Sequence, residues 1–407
     1  MNNPSKPMPN RERFLDICRA KRPGDVAIID WFHRYWPETP GVWIKQGAPQ
    51  EIKNANAFNR YFQFEHIHSL QEIVAGMNRA DLKEDPSAQS LGYFLPTPPI
   101  VPVFKIKVLK EDEHHRVETT YGGQTVEVSK EFPWRMPKYL DHPVKDRATW
   151  NEYKKRLDPD TPERWPSDWN TFVRKTNAED APTLLLMVGF FGVLREWMGM
   201  EKLLYTFYDD PKLVEDMMDQ VLYLQMGVAR RALKDLRIDF VRFWEDMAYK
   251  NGPLISPDMF RKFMLPRYKI ITDFLHSKGI DIIHLDSDGN INELIPIWLE
   301  VGVNFPWPLE VAAGMDAVAL RKKYGKDLIL AGNIDKRALL KGKDTIREEV
   351  MSKVPFLIKT GGYFPGLDHG TPPDIPFENY RFFINLLREI GGMEKLACPQ
   401  KGYHFLC

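Results

Sequence analysis

The chain has 407 residues, of which 43% are hydrophobic and 28% charged, a balance typical of a soluble protein that buries a large core. Lysine and arginine together number 56, as do aspartate and glutamate, so the formal net charge is zero. Such a chain has no overall field to attract nucleic acid or an anionic membrane. Small molecules and proteins are therefore the expected partners.

The three cysteines, Cys18, Cys398 and Cys407, show neither a metal-binding nor a redox spacing. The first residues lack the apolar run of a signal peptide, and no apolar stretch is long enough to cross a bilayer. The sequence therefore predicts a cytoplasmic protein whose chemistry does not depend on cysteine.

The amino-terminal part predicts a helix at Arg11–Ala20, a strand at Val26–Trp31 and a helical run near residues 49–59. Between residues 98 and 130, alternating apolar and polar residues turn through Gly122–Gly123, which predicts an antiparallel β-hairpin or small sheet. We interpret this hairpin as an insertion and not as a second domain. A lid, a dimer arm and a docking surface all remain open as its role.

From about residue 181, apolar strand-like runs alternate with amphipathic helical patterns. The predicted strands are 184–190, 239–247, 280–289, 302–307, 327–335 and 361–370, and the helices between them include Ser256–Lys278, Ile291–Val301 and Asp344–Lys359. This alternation indicates parallel βαβ units. We therefore predict one α/β domain over residues 1–407, a (β/α)8 TIM barrel with the hairpin insertion near residues 98–130. A doubly wound open sheet is the alternative, although no GxGxxG or P-loop follows any strand.

Polar residues follow most of these strands, where each strand gives way to a helix. Because the carboxyl ends of barrel strands meet on one face, these residues are expected to surround one pocket. They are Glu245 and Asp246, His284, Asp286 and Asp288, Glu310, Asn333 and Asp335, and Asp368 with His369. Asp288 and Asp335 also suit a simpler role as helix caps, and Glu310 a role in an ion pair.

His284 and Asp286, at the end of one predicted strand, form the most informative of these patterns. With His369 from another strand end they supply two imidazoles and a carboxylate. That combination binds Zn²⁺ with an open coordination position, or Fe²⁺ as a facial triad. Two other interpretations stay open. Both histidines act as acid–base groups with Asp286 orienting one of them, or His284 is a satisfied core residue.

Two stretches resemble the uroporphyrinogen decarboxylase superfamily, and the similar order of strands covers about residues 181–392. DHGTPPDIPFENYRFF resembles the family's Pro-rich segment ending in P-x-E-N. IIHLDSDGNINELIPIWLEVGVNFPWPLE resembles its strand–loop–helix around an H-x-C/D-G element. The superfamily fold is a (β/α)8 barrel, which agrees with the periodicity.

The superfamily has a cofactor-free decarboxylase branch and a branch of corrinoid-dependent methyltransferases, which hold zinc by H-x-C and a distant Cys. In the resemblance, His284 matches the zinc-binding His, while Asp286 and His369 stand in place of the two thiolates. The decarboxylases carry an R-Q-A-G-R element after their first strand. Here that region reads WFHRYWPETPGVW, with Arg34 as its only basic residue besides His33, which suits a polyanionic porphyrinogen poorly.

The resemblance therefore implies a metal-dependent methyltransferase that moves a methyl group from a small methyl donor, such as a methyl ether, to a corrinoid carried by a partner protein. Without thiolates, zinc or another divalent metal is a harder Lewis acid, suited to polarising an ether oxygen. The alternative is a metal-free carboxy-lyase of tetrapyrrole biosynthesis, in which Asp286 or another strand-end acid helps to protonate a carbanion-like intermediate. A homodimer is compatible with either reaction.

Roles in the predicted pocket follow from this hypothesis. Glu245 is predicted to be a fourth metal ligand or the proton donor to the leaving oxygen, and Asp288 a second catalytic group. The predicted metal ligands are His284, Asp286 and His369. The predicted substrate-binding residues are Trp31, His33, Trp244, Glu310, Asn333 and Asp335, with Phe190, Phe191 and Trp307 as further aromatic candidates for which core packing is the alternative.

Overall fold

The structure is a computed structural model that describes residues 10–70, 99–132 and 135–397, and these residues form an α/β fold with parallel strands. The strands are β1 (His68–Leu70), β2 (Val108–Glu111), β3 (His115–Thr119), β4 (Thr125–Ser129), β5 (Lys138–Asp141), β6 (Thr183–Val188), β7 (Phe240–Trp244), β8 (Ala248–Tyr249), β9 (Gly252–Pro253), β10 (Ile283–Asp286), β11 (Phe305–Trp307), β12 (Leu330–Ala331) and β13 (Tyr363–Phe364). The α-helices are α1 (Asn10–Cys18), α2 (Thr39–Lys45), α3 (Ala55–Phe62), α4 (Arg147–Tyr153), α5 (Trp169–Ala178), α6 (Gly192–Met198), α7 (Met200–Asp209), α8 (Pro211–Asp235), α9 (Pro257–Met259), α10 (Leu265–Ser277), α11 (Ile295–Glu300), α12 (Ala317–Tyr324), α13 (Lys343–Thr360) and α14 (Phe377–Ile390).

Strands β1, β6, β7, β10 and β11 lie side by side, in that order, in one parallel sheet. Strands β12 and β13 form a second parallel pair, and Ile329 N just before β12 donates to Asn304 O just before β11 at 2.8 Å. At the other side, Thr371 N donates to Arg34 O at 2.8 Å, which links the first part of the chain to the last. The predicted α/β class with parallel strands is confirmed, while the closed ring of eight strands stays a prediction.

The amino-terminal ends of the strands are covered by α1. Its Phe14 ring lies 5.0 Å from the ring of Phe240 and 5.1 Å from that of Phe364, centroid to centroid. Arg11 Nε donates to both carboxylate oxygens of Asp239, just before β7. Burying one aromatic side chain such as Phe14 contributes about 1.5–3 kcal/mol. Because α1 covers this end, a site for ligands is expected at the carboxyl ends.

A four-stranded antiparallel sheet, in the order β2–β3–β4–β5, lies where the sequence predicts a hairpin. Val126 and Val128 alternate with more exposed residues along β4 and bury one face. The sheet packs on α6, because Tyr139 Oη donates to Glu196 Oε2 at 2.9 Å and His142 Nδ1 lies 2.9 Å from Glu196 O. It is thus held against the helix that follows β6.

Several helices begin where the sequence signals a start. Asp210 accepts from Leu213 N and precedes a proline, and the 25-residue helix α8 follows.

The strand predicted at 239–247 is shorter in the structure and ends at Trp244, because Asp246 adopts a left-handed backbone with φ 45°. Within the described parts of the chain, no helix is long and apolar enough to cross a membrane.

Candidate active site at the carboxyl ends of the strands

The register of the parallel strands brings polar side chains onto one face. Arg242 on β7 is in register with His284 on β10, and two residues further along Asp286 is in register with Trp307 on β11. Residues two apart on a strand face the same side. These residues and their neighbours form a set that we call the strand-end site: Trp31, Arg34, Arg242, His284, Asp286, Asp288, Trp307 and His369.

Two arginines of the strand-end site share the indole ring of Trp31. The guanidinium carbon of Arg34 lies 4.1 Å from the ring centroid and that of Arg242 lies 5.0 Å from it. Arg34 is also 5.8 Å from the ring centroid of Trp307. Contacts between a cation and an aromatic face are attractive, so Trp31 offsets part of the repulsion between the two guanidiniums.

Arg34 is the cation of the site that faces solvent. Its side chain is exposed, yet surrounding protein and the neighbouring Arg242 lower its pKa to about 10, against the pull of Asp286 and Asp30. No hydrogen bond or ion pair to the Arg34 guanidinium is present within the described residues, so this charge is available to an anion.

Asp286 is held by Arg242, which donates to its Oδ2, and both side chains are nearly fully buried. Burial raises the pKa of Asp286, and the nearby Asp288 adds to this, while Arg242 and Arg34 oppose it. Breaking such a buried pair is costly because one charge is then left without a partner. The main effect of Asp286 is therefore to fix Arg242 beside Trp31.

His284 is completely buried, and neither ring nitrogen has a hydrogen-bond partner within the described residues. Its ring lies edge-on to Phe305, with the centroids 4.9 Å apart. Burial, reinforced by Arg242 and Arg34, holds its pKa well below the usual histidine value. His284 is thus a neutral imidazole beneath the two arginines.

His369 and Asp288 form the other ionisable pair of the site, with His369 Nε2 3.5 Å from Asp288 Oδ1. Burial alone would lower the pKa of His369, but Asp288 outweighs burial and raises it. Burial likewise opposes ionisation of Asp288, yet His369 and nearby cations lower its pKa. The His369 ring is nearly parallel to Trp307, with the centroids 6.3 Å apart. The His369 imidazole therefore lies on the same aromatic wall that Arg34 contacts.

The three predicted metal ligands are not arranged as a ligand set. Asp286 is paired with Arg242, His369 faces another carboxylate, and His284 lies beside two guanidiniums. Like charges repel strongly in a desolvated site, so these arginines disfavour a divalent cation. Across residues 10–70, 99–132 and 135–397, no three His, Cys, Asp or Glu side chains are grouped to hold a metal ion. Asp286 and His369 are thus engaged with other charged groups, and the zinc site stays a prediction.

Glu245, predicted to be a catalytic group or a fourth metal ligand, has a structural position instead. It is 0% exposed, and its oxygens accept from the backbone N–H groups of Phe190, Phe191 and Gly192 at 2.7–3.0 Å and from Tyr268 Oη. Because both oxygens are engaged inside the protein, Glu245 anchors the turn from β6 to α6, and its catalytic role stays a prediction.

Three predicted substrate-binding residues also serve the fold. Asn333 is buried, accepts from Ala317 N and donates to two carbonyl oxygens. Asp335 accepts from Arg337 N and begins a helical turn, which is the role as a helix cap that the sequence also suggested. His33 is 3% exposed, its nitrogens face Tyr380 Oη and a carbonyl oxygen, and burial lowers its pKa to about 4. Substrate binding by these three side chains stays a prediction.

The remaining predicted residues lie near the rim of the site. Glu310 accepts from Gly289 N at 2.9 Å and lies 4.0 Å from Lys336 Nζ. Trp244 is partly buried, with the guanidinium carbon of Arg195 5.3 Å from its ring centroid. Trp31 is partly exposed beside Arg34, as expected for a residue that contacts a ligand.

Arg242 is the residue of the site that the sequence analysis did not single out. It lies within the otherwise apolar strand FVRFW, where a cation with one carboxylate nearby is unusual. This position could have identified Arg242 from the sequence, because a charge inside a buried strand requires a partner.

This fold, with polar residues gathered at the carboxyl ends of parallel strands, defines the class of α/β enzymes that place their active sites there. The family model described as Uroporphyrinogen decarboxylase (URO-D) matches residues 126–390, more than half of the chain. The chain belongs to the uroporphyrinogen decarboxylase family.

Curated relatives are more distant and match in part. Uroporphyrinogen decarboxylase from Carboxydothermus hydrogenoformans is 27% identical over 143 residues, covering 34% of this chain and 38% of that protein. The enzyme from Legionella pneumophila strain Paris is 30% identical over 139 residues, covering 34% of this chain and 39% of that protein. The matched stretch thus spans less than two fifths of these relatives. A solved methyltransferase from Methanosarcina mazei is similar over 94% of this chain and 99% of its own, with a TM-score of 0.58 and 16% identity, a likeness of fold.

Proposed function

We propose that this chain is a carboxy-lyase of the decarboxylase type, which holds the carboxylate of a small-molecule substrate at Arg34. The observation that carries the proposal is the Arg34 guanidinium, exposed at the strand-end site and without an acidic partner in the described residues. A planar guanidinium matches a carboxylate with two parallel hydrogen bonds. Family membership supports the reaction class.

The residues present supply each part of a decarboxylation. Arg34 orients the carboxylate, and the buried pair of Arg242 with Asp286 keeps a second guanidinium beside it. The bond between the carboxylate carbon and its neighbour breaks, carbon dioxide leaves, and the electron pair stays on the substrate carbon. That carbon then takes a proton from the His369 imidazolium, which Asp288 holds in its charged form and solvent reprotonates.

The proposal includes the fold that the sequence predicts, one domain with the parallel strands closed into an eight-stranded barrel. Two links beyond the sheets support closure: Asp30 N donates to Glu65 O at 2.9 Å, and Tyr35 forms a parallel bridge with Thr371. A closed barrel would bring Arg34 from the first strand next to His369 from the last.

The test uses the full chain in D₂O with uroporphyrinogen and a panel of monocarboxylic acids. We expect release of carbon dioxide from at least one acid, with one deuterium on the carbon that lost it. Arg34→Gln should abolish release, whereas Arg337→Gln, which alters an exposed arginine paired with Asp335, should retain it. Methyl transfer to a reduced corrinoid by a zinc-loaded protein, with no release of carbon dioxide, would overturn the proposal and favour the methyltransferase prediction.

A further inference from the structure

The charges of the strand-end site are balanced except for one. Arg242 is paired with Asp286, and His369 with Asp288. In the part of the chain that the structure describes, Arg34 has no such partner. The site therefore offers one unmatched positive charge, which suits a single carboxylate. Further carboxylates on a ligand would meet the two aspartates and be repelled.

The surroundings of Arg34 are aromatic. Trp31 and Trp307 lie 4.1 Å and 5.8 Å from its guanidinium carbon, measured to the ring centroids. Trp36 is 40% exposed and packs against Gly370, the residue after His369. Sites for small molecules combine apolar or aromatic walls with a few placed polar groups, and aromatic walls favour planar ligands.

We propose that the strand-end site takes an arene monocarboxylate, whose carboxylate binds Arg34 while its ring packs against the accessible indoles Trp31 and Trp36. This inference rests on the proposed function, since it assumes that Arg34 holds a carboxylate, and it adds the substrate class.

The experiment measures binding to the full chain by calorimetry and by quenching of tryptophan fluorescence. The probes are benzoate, cyclohexanecarboxylate, benzamide and benzene-1,2,4,5-tetracarboxylate. We expect benzoate to bind about fivefold more tightly than cyclohexanecarboxylate, because aromatic pairing adds to simple burial. Benzamide, which lacks the charge, should not bind measurably, and the tetracarboxylate should bind no more tightly than benzoate. Arg34→Gln should abolish benzoate binding, and Arg337→Gln should leave it unchanged.

Each outcome separates this inference from the proposed function. Equal binding of benzoate and cyclohexanecarboxylate, both lost in Arg34→Gln, would overturn the arene preference and leave the carboxylate site in place. Tighter binding of the tetracarboxylate would overturn the single-charge site. Failure of every carboxylate to bind the wild type would overturn both. If Arg34→Gln does not fold, the relative affinities of the four probes for the wild-type protein still test the inference.

Discussion

Arg242 donates a hydrogen bond to Asp286 across neighbouring strands, and the two side chains are 8% and 7% exposed. This pairing determines the chemistry of the strand-end site. Asp286 is occupied by a cation and is not free to bind a metal ion, while Arg242 is fixed beside Trp31 and Arg34. The carboxylate that the sequence suggests as a zinc ligand is thus part of the proposed site for an anion.

Replacing Arg242 should destabilise the protein because Asp286 would be left buried without a cation. We expect Arg242→Met to lower the free energy of unfolding by about 3–5 kcal/mol. The double variant Arg242→Met/Asp286→Leu should recover more than half of this loss, since no unpaired charge remains. Urea denaturation of the wild type and both variants measures the difference. A double variant no more stable than the single one would contradict the interpretation.

The metal content of the protein should not depend on the predicted ligands. After incubation with zinc and dialysis, we expect elemental mass spectrometry to find no stoichiometric metal, because Arg34 and Arg242 disfavour a divalent cation. Chelator treatment should leave the thermal unfolding midpoint unchanged. One zinc per chain that is lost in both His284→Ala and His369→Ala would instead support a metal site.

Glu245 should contribute to stability and not to the chemical step. Glu245→Gln places an amide NH₂ against backbone N–H donors, and we expect it to lower the free energy of unfolding by about 2–4 kcal/mol. Tyr268→Phe removes one donor to the same carboxylate and should cost about 1–2 kcal/mol. Denaturant unfolding provides both values. An unchanged stability of Glu245→Gln together with lost turnover would restore its predicted catalytic role.

The pairing of His369 with Asp288 should be visible in a titration. Because Asp288 raises the pKa of His369, Asp288→Asn should move the midpoint of His369, followed by NMR of its ring, to lower pH. Because folding raises the pKa of His369, protonated His369 stabilises the fold at pH values below its unfolded pKa. This stabilisation is lost as the pH rises through its folded pKa. Because folding lowers the pKa of Asp288, ionised Asp288 stabilises the fold at pH values above its unfolded pKa, and this stabilisation is lost as the pH falls through its folded pKa. The pair is thus strongest between about pH 4 and pH 6.5. An identical His369 midpoint in both proteins would contradict the pairing.

Much of the fold could be predicted because its signals are local. The predicted strand at 184–190 overlaps β6, and those at 280–289 and 302–307 contain β10 and β11, since short apolar runs between amphipathic helices have few other structures available. The first predicted strand, Val26–Trp31, was less accurate. It gives way to a short helical turn at Asp30–Phe32, and such a turn depends on tertiary contacts more than on local pattern.

The position of the polar residues at the strand ends could be predicted from the sequence, but their interactions could be predicted only in part. His284, Asp286, Asp288 and His369 do lie in or beside one group at the strand ends. Glu245 looked equivalent to them in sequence, yet it faces the backbone of the preceding turn. Neighbouring residues of a strand face opposite sides, so the sequence could not decide which one turns to the site.

The sequence by itself determined the class of fold, the positions of most strands and the polar residues at their ends, because these follow from periodicity along a short stretch of chain. The tertiary structure decided which partner each polar side chain takes. Asp286 pairs with Arg242, 44 residues away, and Arg242 in turn reaches the indole ring of Trp31, which lies beside Arg34 in the first part of the chain. Such pairings depend on strand register and on the closure of distant segments, which no local pattern specifies. For that reason the same residues suggest a zinc site in the sequence and, with their partners in the folded protein, support the proposed carboxylate site.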